Sequence, residues 1–295
     1  MTAAWPRRVL RLTAVTLVLL SGVAFALVAT GLGDRGRIRL AGAWSRLLLR
    51  AIGVRVEARQ GFTFLAGSAT GPRTVRMARG RIVPASGYRS VPAAGPDLDP
   101  PGRGSPQAAP LFVANHVSWL DPLVMVAAQP CHLLAKRDVL GWPVIGVLAT
   151  VAGVFFIDRE RLSALPVAVS RMAAALAGGH AVAAFPEGTT WCGRKMGTFR
   201  PAVFQAALDA GAPVRPVALR YLGPSGTPAT ASAFVGDDTL WASVRRVVAI
   251  RRLTVEVTVL PEVRGDDRRA LAWAAESSVA SVVVVGAAHD VPVAA

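Results

Sequence analysis

The chain has 295 residues, 53% hydrophobic and 17% charged, with two cysteines and 33 Lys+Arg against 18 Asp+Glu. That is chain enough for one large α/β domain with a substantial core, and it excludes a disordered polymer, a collagen-like or coiled-coil repeat and a disulfide scaffold. The formal charge of +15, carried by arginines apart from Lys136 and Lys195, calls for a phosphate-rich partner, either nucleic acid or the anionic face of a membrane.

The amino terminus favours the membrane, and no nucleic acid is expected. Leu12 to Leu32 holds no charged residue and is long enough to cross a hydrocarbon core. Arg7, Arg8 and Arg11 precede it and Arg35, Arg37 and Arg39 follow, so the flanking charges do not choose an orientation. The segment spans, or it dips in and returns as a hairpin with Ala41 to Ile52. Ala24-Phe25-Ala26 resembles a signal-peptide cleavage site, but the apolar run continues past it. Ala43 to Ile52 reads as an amphipathic helix against a membrane surface or a core, and residues 1–52 are assigned as membrane-anchoring helices.

Gly53 stops that helix, and Val54 to Ala58 alternates as a strand does. Residues 66–110 are one third Gly and Pro, which no long ladder or helix sustains; they read as a flexible surface insertion with a short hairpin from Thr74 to Val83. Pro110 to Ala114 resumes as a buried strand. Strand and helix patterns then alternate: strand Val151 to Ile157, helix Leu162 to Ala177, strand Ala181 to Phe185, helix Ala202 to Ala210, strand Val214 to Arg220. A helix over Leu240 to Val248, capped by Asp237, Asp238 or Thr239, precedes a half-exposed strand from Leu253 to Val259. This pattern predicts an α/β fold with a mostly parallel central sheet flanked by helices and an N-terminal membrane-embedded helix or hairpin. Residues 53–265 form the expected catalytic domain and 266–295 a tail, helical at first.

Four histidines are present, and His116 stands out because it follows a buried strand directly, in Asn115-His116-Val117-Ser118-Trp119-Leu120-Asp121. If the strand ends at Ala114 and a turn leads into a helix, Asp121 folds back onto one imidazole nitrogen and the other faces a cleft as a base. No Gly-x-Ser-x-Gly elbow activates Ser118, and Cys131 and Cys192 stand in no suggestive pattern. The pair therefore points to activation of an external hydroxyl. His132, His180 and His289 read as ordinary strand, turn and tail residues. Trp119, Trp142 and Trp191 read as lining an interfacial acyl groove, as core packing or as surface anchors.

Three further clusters end predicted strands, where ligands bind in open α/β sheets. They are Gly153 to Arg159, the turn Phe185-Pro186-Glu187-Gly188-Thr189, and the Pro-bracketed strand Pro213 to Ala218. The four blocks, in this order and spacing over roughly residues 45 to 262, resemble those of the glycerolipid acyltransferase family, the lysophosphatidic acid acyltransferases and their relatives.

The resemblance implies that His116 is the general base and Asp121 its orienting partner. It implies substrate binding by Asn115, Arg159, Glu187, Gly188, Thr189, Arg194, Arg200 and Pro216, with Arg159 on the acceptor head group. Donor amides around Gly188 would meet the oxyanion. It implies no metal and no cofactor, with acyl-CoA or acyl carrier protein as co-substrate, a lysolipid acceptor, and a place at the cytoplasmic face of the cell membrane. The expected acceptor is 1-acyl-sn-glycerol-3-phosphate, giving phosphatidic acid. One departure bears on it: many members that use lysophosphatidic acid carry arginine where this chain has Thr190, and the Glu-Gly-Thr-Thr form resembles the lyso-ornithine lipid acyltransferases. A thioester hydrolase and a non-catalytic binder of anionic partners are the readings from other classes.

Overall fold

A computed structural model describes residues 3–61, 73–78, 81–84, 108–142, 145–158 and 165–288. Nine strands form one sheet: β1 (Val54–Gln60), β2 (Arg73–Ala78), β3 (Arg81–Pro84), β4 (Leu111–Ala114), β5 (His132–Lys136), β6 (Phe155–Ile157), β7 (Val182–Ala184), β8 (Val214–Leu222) and β9 (Leu253–Val259). Their spatial order is β3-β2-β1-β9-β8-β4-β7-β5-β6. Pairing is parallel from β8 through β4, β7 and β5 to β6, and again between β1 and β9. Among the described strands, β8–β9 and the β1–β2–β3 edge pair antiparallel. The central strand β4 is buried at every position, as a parallel strand covered on both faces must be.

Helices cover the two faces. On one lie α1 (Trp5–Thr30), α2 (Asp34–Ile52), α3 (Asp121–Ala128), α4 (Ile145–Val151) and α7 (Leu240–Ala249), with a core that takes in Phe25, Leu49, Met125, Leu148, Val217 and Val255. On the other lie α5 (Leu165–Ala177), α6 (Phe204–Ala210) and α8 (Arg268–Ala288), packed through Met172, Leu176, Phe204 and Val279. The residues assigned to a C-terminal tail thus contribute a helix to this second core, with Leu271, Ala272 and Ala275 buried.

The amino-terminal helices form a hairpin. α1 turns at Gly31 and α2 returns along it, where Trp44 Nε1 donates to Val18 O at 3.2 Å. α2 buries Ile38, Ala41, Gly42, Ser45, Leu48, Leu49 and Ile52, the stripe that a 3.6-residue period places on one face. Gly42 lets α2 approach α3, since a Cβ there would lie 3.0 Å from Val126 O. The amino-terminal end of α1 is tied to the domain: Ala3 N–H donates to Ala249 O, and the Arg11 guanidinium donates to Val248 O and Ile250 O at 2.8 and 2.7 Å. A cation there meets the negative end of α7.

One expectation needs correction. Residues 151–157 are not one strand: Val151 ends α4, Gly153 turns with φ +73°, and β6 begins only at Phe155. Most of 66–110 lies outside the described residues, apart from the β2–β3 hairpin and residues 108–110. Thr239 is the cap of α7, accepting from Ala242 N–H at 3.2 Å.

Candidate active site

The site starts where β4 leaves the sheet. Asn115, 2% exposed, closes the strand by pairing with Leu219 of β8 at both ends of its amide: Nδ2 donates to Leu219 O at 3.0 Å and Oδ1 accepts from Leu219 N–H at 2.8 Å. The next five residues form a turn gripped by three other segments. Trp191 N–H donates to His116 O at 2.7 Å, Phe234 N–H donates to Val117 O at 3.0 Å, and Trp119 Nε1 donates to Ser243 Oγ at 3.1 Å.

Asp121 opens α3 with Pro122 behind it, so its anion sits at the positive end of the helix. The carboxylate is fully buried. Its Oδ2 lies 2.7 Å from His116 Nδ1 and accepts from the N–H groups of Val117 and Ser118 at 2.6 and 2.8 Å. Its Oδ1 accepts from the Tyr221 hydroxyl. Held at Nδ1, the imidazole stacks on Phe185 with ring centroids 4.4 Å apart and lines a cavity.

That cavity has a volume of about 840 Å³. Leu19, Phe25, Trp44 and Leu48 of the helical hairpin form one wall, Leu123 and Val126 of α3 another, and Ile145, Leu148 and Ala149 of α4 a third. His116, Gly188, Thr189 and Thr190 stand at its polar part. Apart from Ser45, Lys136 and Asp138 the rest of the lining is mainly apolar, and the space is large enough for a hydrocarbon chain.

The turn after β7 supplies the rest. Glu187 is 4% exposed; its Oε2 accepts from His116 N–H at 3.3 Å, while Oε1 has no hydrogen-bond partner. Burial, reinforced by the nearby Asp121 charge, raises its carboxyl to about 8, against the opposing donation from His116 N–H. Gly188 turns with φ +76°, and the Arg200 guanidinium covers it: a Cβ there would meet the Arg200 Cζ at 3.2 Å. Gly188 N–H donates to Phe185 O at 3.1 Å. The Thr190 hydroxyl donates to Phe234 O, tying the 230–239 loop to the rim.

Of the residues the sequence singled out, His116, Asp121, Glu187, Gly188 and Thr189 converge, with Arg200 beside Gly188. Asn115 and Pro216 lie within the sheet and do not line the cavity; Pro216 pairs with Val113. Arg194 is exposed in the loop beyond Thr190 and does not line it either. Arg159 lies outside the described residues. Sequence reasoning missed Tyr221, the hairpin wall and Phe234, because each reaches the site through tertiary packing. Cys131 is buried and its thiol is pushed up to about 12, which keeps it protonated and unreactive. Among the described residues no cluster of three or more His, Cys, Asp or Glu is arranged to hold a metal ion.

Residues 101–220 match the family model Acyltransferase. The 1-acyl-sn-glycerol-3-phosphate acyltransferase of Neisseria gonorrhoeae is 37% identical over 176 residues, 59% of this chain and 69% of that protein. The lyso-ornithine lipid O-acyltransferase of Pseudomonas aeruginosa is also 37% identical, over 177 residues, 59% of this chain and 68% of that protein. In fold, the chain resembles the crystal structure of the 1-acyl-sn-glycerophosphate (LPA) acyltransferase PlsC from Thermotoga maritima. The TM-score is 0.59 at 15% identity, over 96% of this chain and 94% of that one. The protein is therefore an enzyme of the acyl-transferring class. Within that class the chain belongs to the lysophosphatidic acid acyltransferase family.

Proposed function

We propose that the protein transfers a fatty acyl group from an acyl thioester to the hydroxyl of a lysolipid, with His116 as general base. The observation that carries this reading is the His116 ring, tied at Nδ1 to the buried Asp121 while lining an apolar cavity of about 840 Å³. Asp121 fixes the tautomer, so Nε2 is unprotonated and takes the acceptor's proton as its oxygen attacks the thioester carbonyl. The resulting imidazolium is stabilised by the same carboxylate. Collapse of the tetrahedral state expels the thiolate, which receives that proton. The amide of Gly188 is engaged with Phe185 O, so the amides of Thr189 and Thr190 are the oxyanion donors of this scheme. No metal or cofactor takes part.

The acceptor is 1-acyl-sn-glycerol-3-phosphate, its phosphate held by Arg200 beside Gly188 and by Arg159. One observation favours a second acceptor. Thr190 uses its hydroxyl on Phe234 O and offers no cation, which suits a head group without phosphate, as in lyso-ornithine lipid. The donor is acyl-CoA or acyl carrier protein; the excess of arginines attracts the acidic groups of either. The enzyme sits on the cytoplasmic face of the cell membrane, held there by anionic lipid and by the hairpin. Of the hairpin's first helix, Leu10, Leu17, Leu20 and Leu27 remain exposed.

The test supplies labelled acyl-CoA or acyl carrier protein thioester to a membrane fraction containing the chain. Lysophosphatidic acid, other lysophospholipids and lyso-ornithine lipid compete as acceptors. Labelled diacyl product and lysolipid-dependent thiol release are expected. Thiol release that ignores the lysolipid would establish a hydrolase instead, and a His116→Ala chain with full activity would exclude the base.

A further inference from the structure

Tyr221 lies on β8, 100 residues beyond Asp121 in sequence, and the four blocks do not contain it. It is 5% exposed, and its hydroxyl donates to Asp121 Oδ1. The other carboxylate oxygen, Oδ2, is engaged by His116 Nδ1 and by the N–H groups of Val117 and Ser118. All three of those donors converge on one oxygen. Tyr221 alone holds the second, among the contacts the structure describes.

We propose that Tyr221 is a positioning residue for acyl transfer, its hydroxyl fixing the rotation of the Asp121 carboxylate and dispersing its charge so that His116 faces the cavity as a poised base. The inference rests on the reading of His116 as that base. A buried carboxylate with one oxygen undonated concentrates its charge and turns about Cβ–Cγ to seek partners. Concentrated charge strengthens the hold on the His116 proton, so the imidazole becomes harder to deprotonate. Rotation moves Oδ2 off Nδ1 and lets the ring leave its stack on Phe185. Both effects act on the chemical step and not on lysolipid binding, because Tyr221 does not line the cavity.

Kinetics of the full chain against pH, on whichever of the acceptors above it acylates, test this. Tyr221→Phe is expected to lower kcat by about 10- to 100-fold, the worth of one hydrogen bond to an ionised group, with KM for the lysolipid unchanged. The acid limb of kcat/KM, which reports His116, moves to higher pH. In an Asp121→Asn background the same change has no further effect on kcat, because the bond it removes no longer has its ionised acceptor. A Tyr221→Phe chain with the parental acid limb, or losses that multiply in the double variant, would overturn the proposal.

A second arm does not depend on the fold tolerating phenylalanine. The chain has two tyrosines, Tyr88 and Tyr221, so growth on 3-fluorotyrosine in a Tyr88→Phe background alters one phenol. The more acidic hydroxyl donates more strongly and is expected to move the acid limb to lower pH; no movement counts against the proposal. His116→Ala separates the two readings. If it is inactive while Tyr221→Phe is unaltered, only the role of Tyr221 fails; if it remains active, the base itself is misassigned.

Discussion

Glu187→Gln isolates the physical character of the turn beside His116. In the folded protein the carboxyl is raised from 4.5 to about 8 by burial and by the Asp121 charge. In the unfolded chain it ionises near 4.5. A raised folded value means that the native state holds the proton more tightly. The associated stability is complete below about pH 4.5 and is lost as pH rises through about 8. At about 1.4 kcal/mol per pH unit, wild type should lose about 4 kcal/mol relative to Glu187→Gln between pH 5 and 8, and about 5 kcal/mol in all.

Glutamine preserves the bond that matters locally, since its Oε1 still accepts from His116 N–H. Its NH₂ takes the place of the oxygen that has no hydrogen-bond partner, where the protonated acid also carries a hydrogen. The two proteins should therefore melt together near pH 5 and diverge steadily above it, the variant being the more stable. At about 2–4 °C per kcal/mol the gap reaches roughly 8 °C or more by pH 8. Thermal unfolding in detergent micelles at half-unit steps of pH measures it. Curves that stay parallel from pH 5 to 9 would show that Glu187 ionises in the native state, and the account of that turn as a neutral hydrogen-bonding strut would be wrong.

Other outcomes follow from the same geometry. His116→Ala should lower kcat by about 10²- to 10⁴-fold without unfolding the chain, read by acyl incorporation. Asp121→Asn should reduce kcat comparably, because the amide presents the wrong partner to Nδ1, and circular dichroism should show the fold intact. Ala149→Phe fills part of the cavity and is expected to shift preference toward shorter acyl donors in a chain-length competition. Thr190→Val removes the donor to Phe234 O and should raise proteolytic cleavage of the 230–239 loop several-fold, with a modest fall in kcat.

The His116–Asp121 pair was legible because the two side chains are brought together by local structure, although distant segments brace it. A buried strand, a turn and a helix start occur within eleven residues, and Asp121 accepts from the amides of Val117 and Ser118 in that same turn. The parallel sheet was legible for a related reason, since strand and helix periods alternate with short connections. Val151 to Ile157 was misread because a short apolar run fits a helix end as well as a strand, and Gly153, with its positive φ, breaks it. The roles of Asn115 and Tyr221 were out of reach. Both are decided by β8 lying beside β4, where Leu219 meets the amide and the phenol meets the carboxylate, contacts spanning 104 and 100 residues.

The amino-terminal helices, which the sequence offers as a span or a hairpin, pack together as a hairpin, and α1 is at the same time long and apolar enough to cross a membrane. A helix crossing the bilayer alone would present apolar side chains all round and keep its polar ends free. α1 instead gives one face to the domain: Phe25 and Ala29 are 7% and 0% exposed, and Trp44 of α2 reaches its Val18 carbonyl. Its first turns are pinned by Ala3 and Arg11 to the carboxyl end of α7, the helix whose Leu240 and Val244 line the cavity. The same hairpin supplies Leu19, Phe25, Trp44 and Leu48 to the cavity wall. Detaching α1 from the domain would break the Arg11 bonds and open that wall. The hairpin thus has an inner face that lines the cavity and an outer face on which Leu17, Leu20 and Leu27 are exposed.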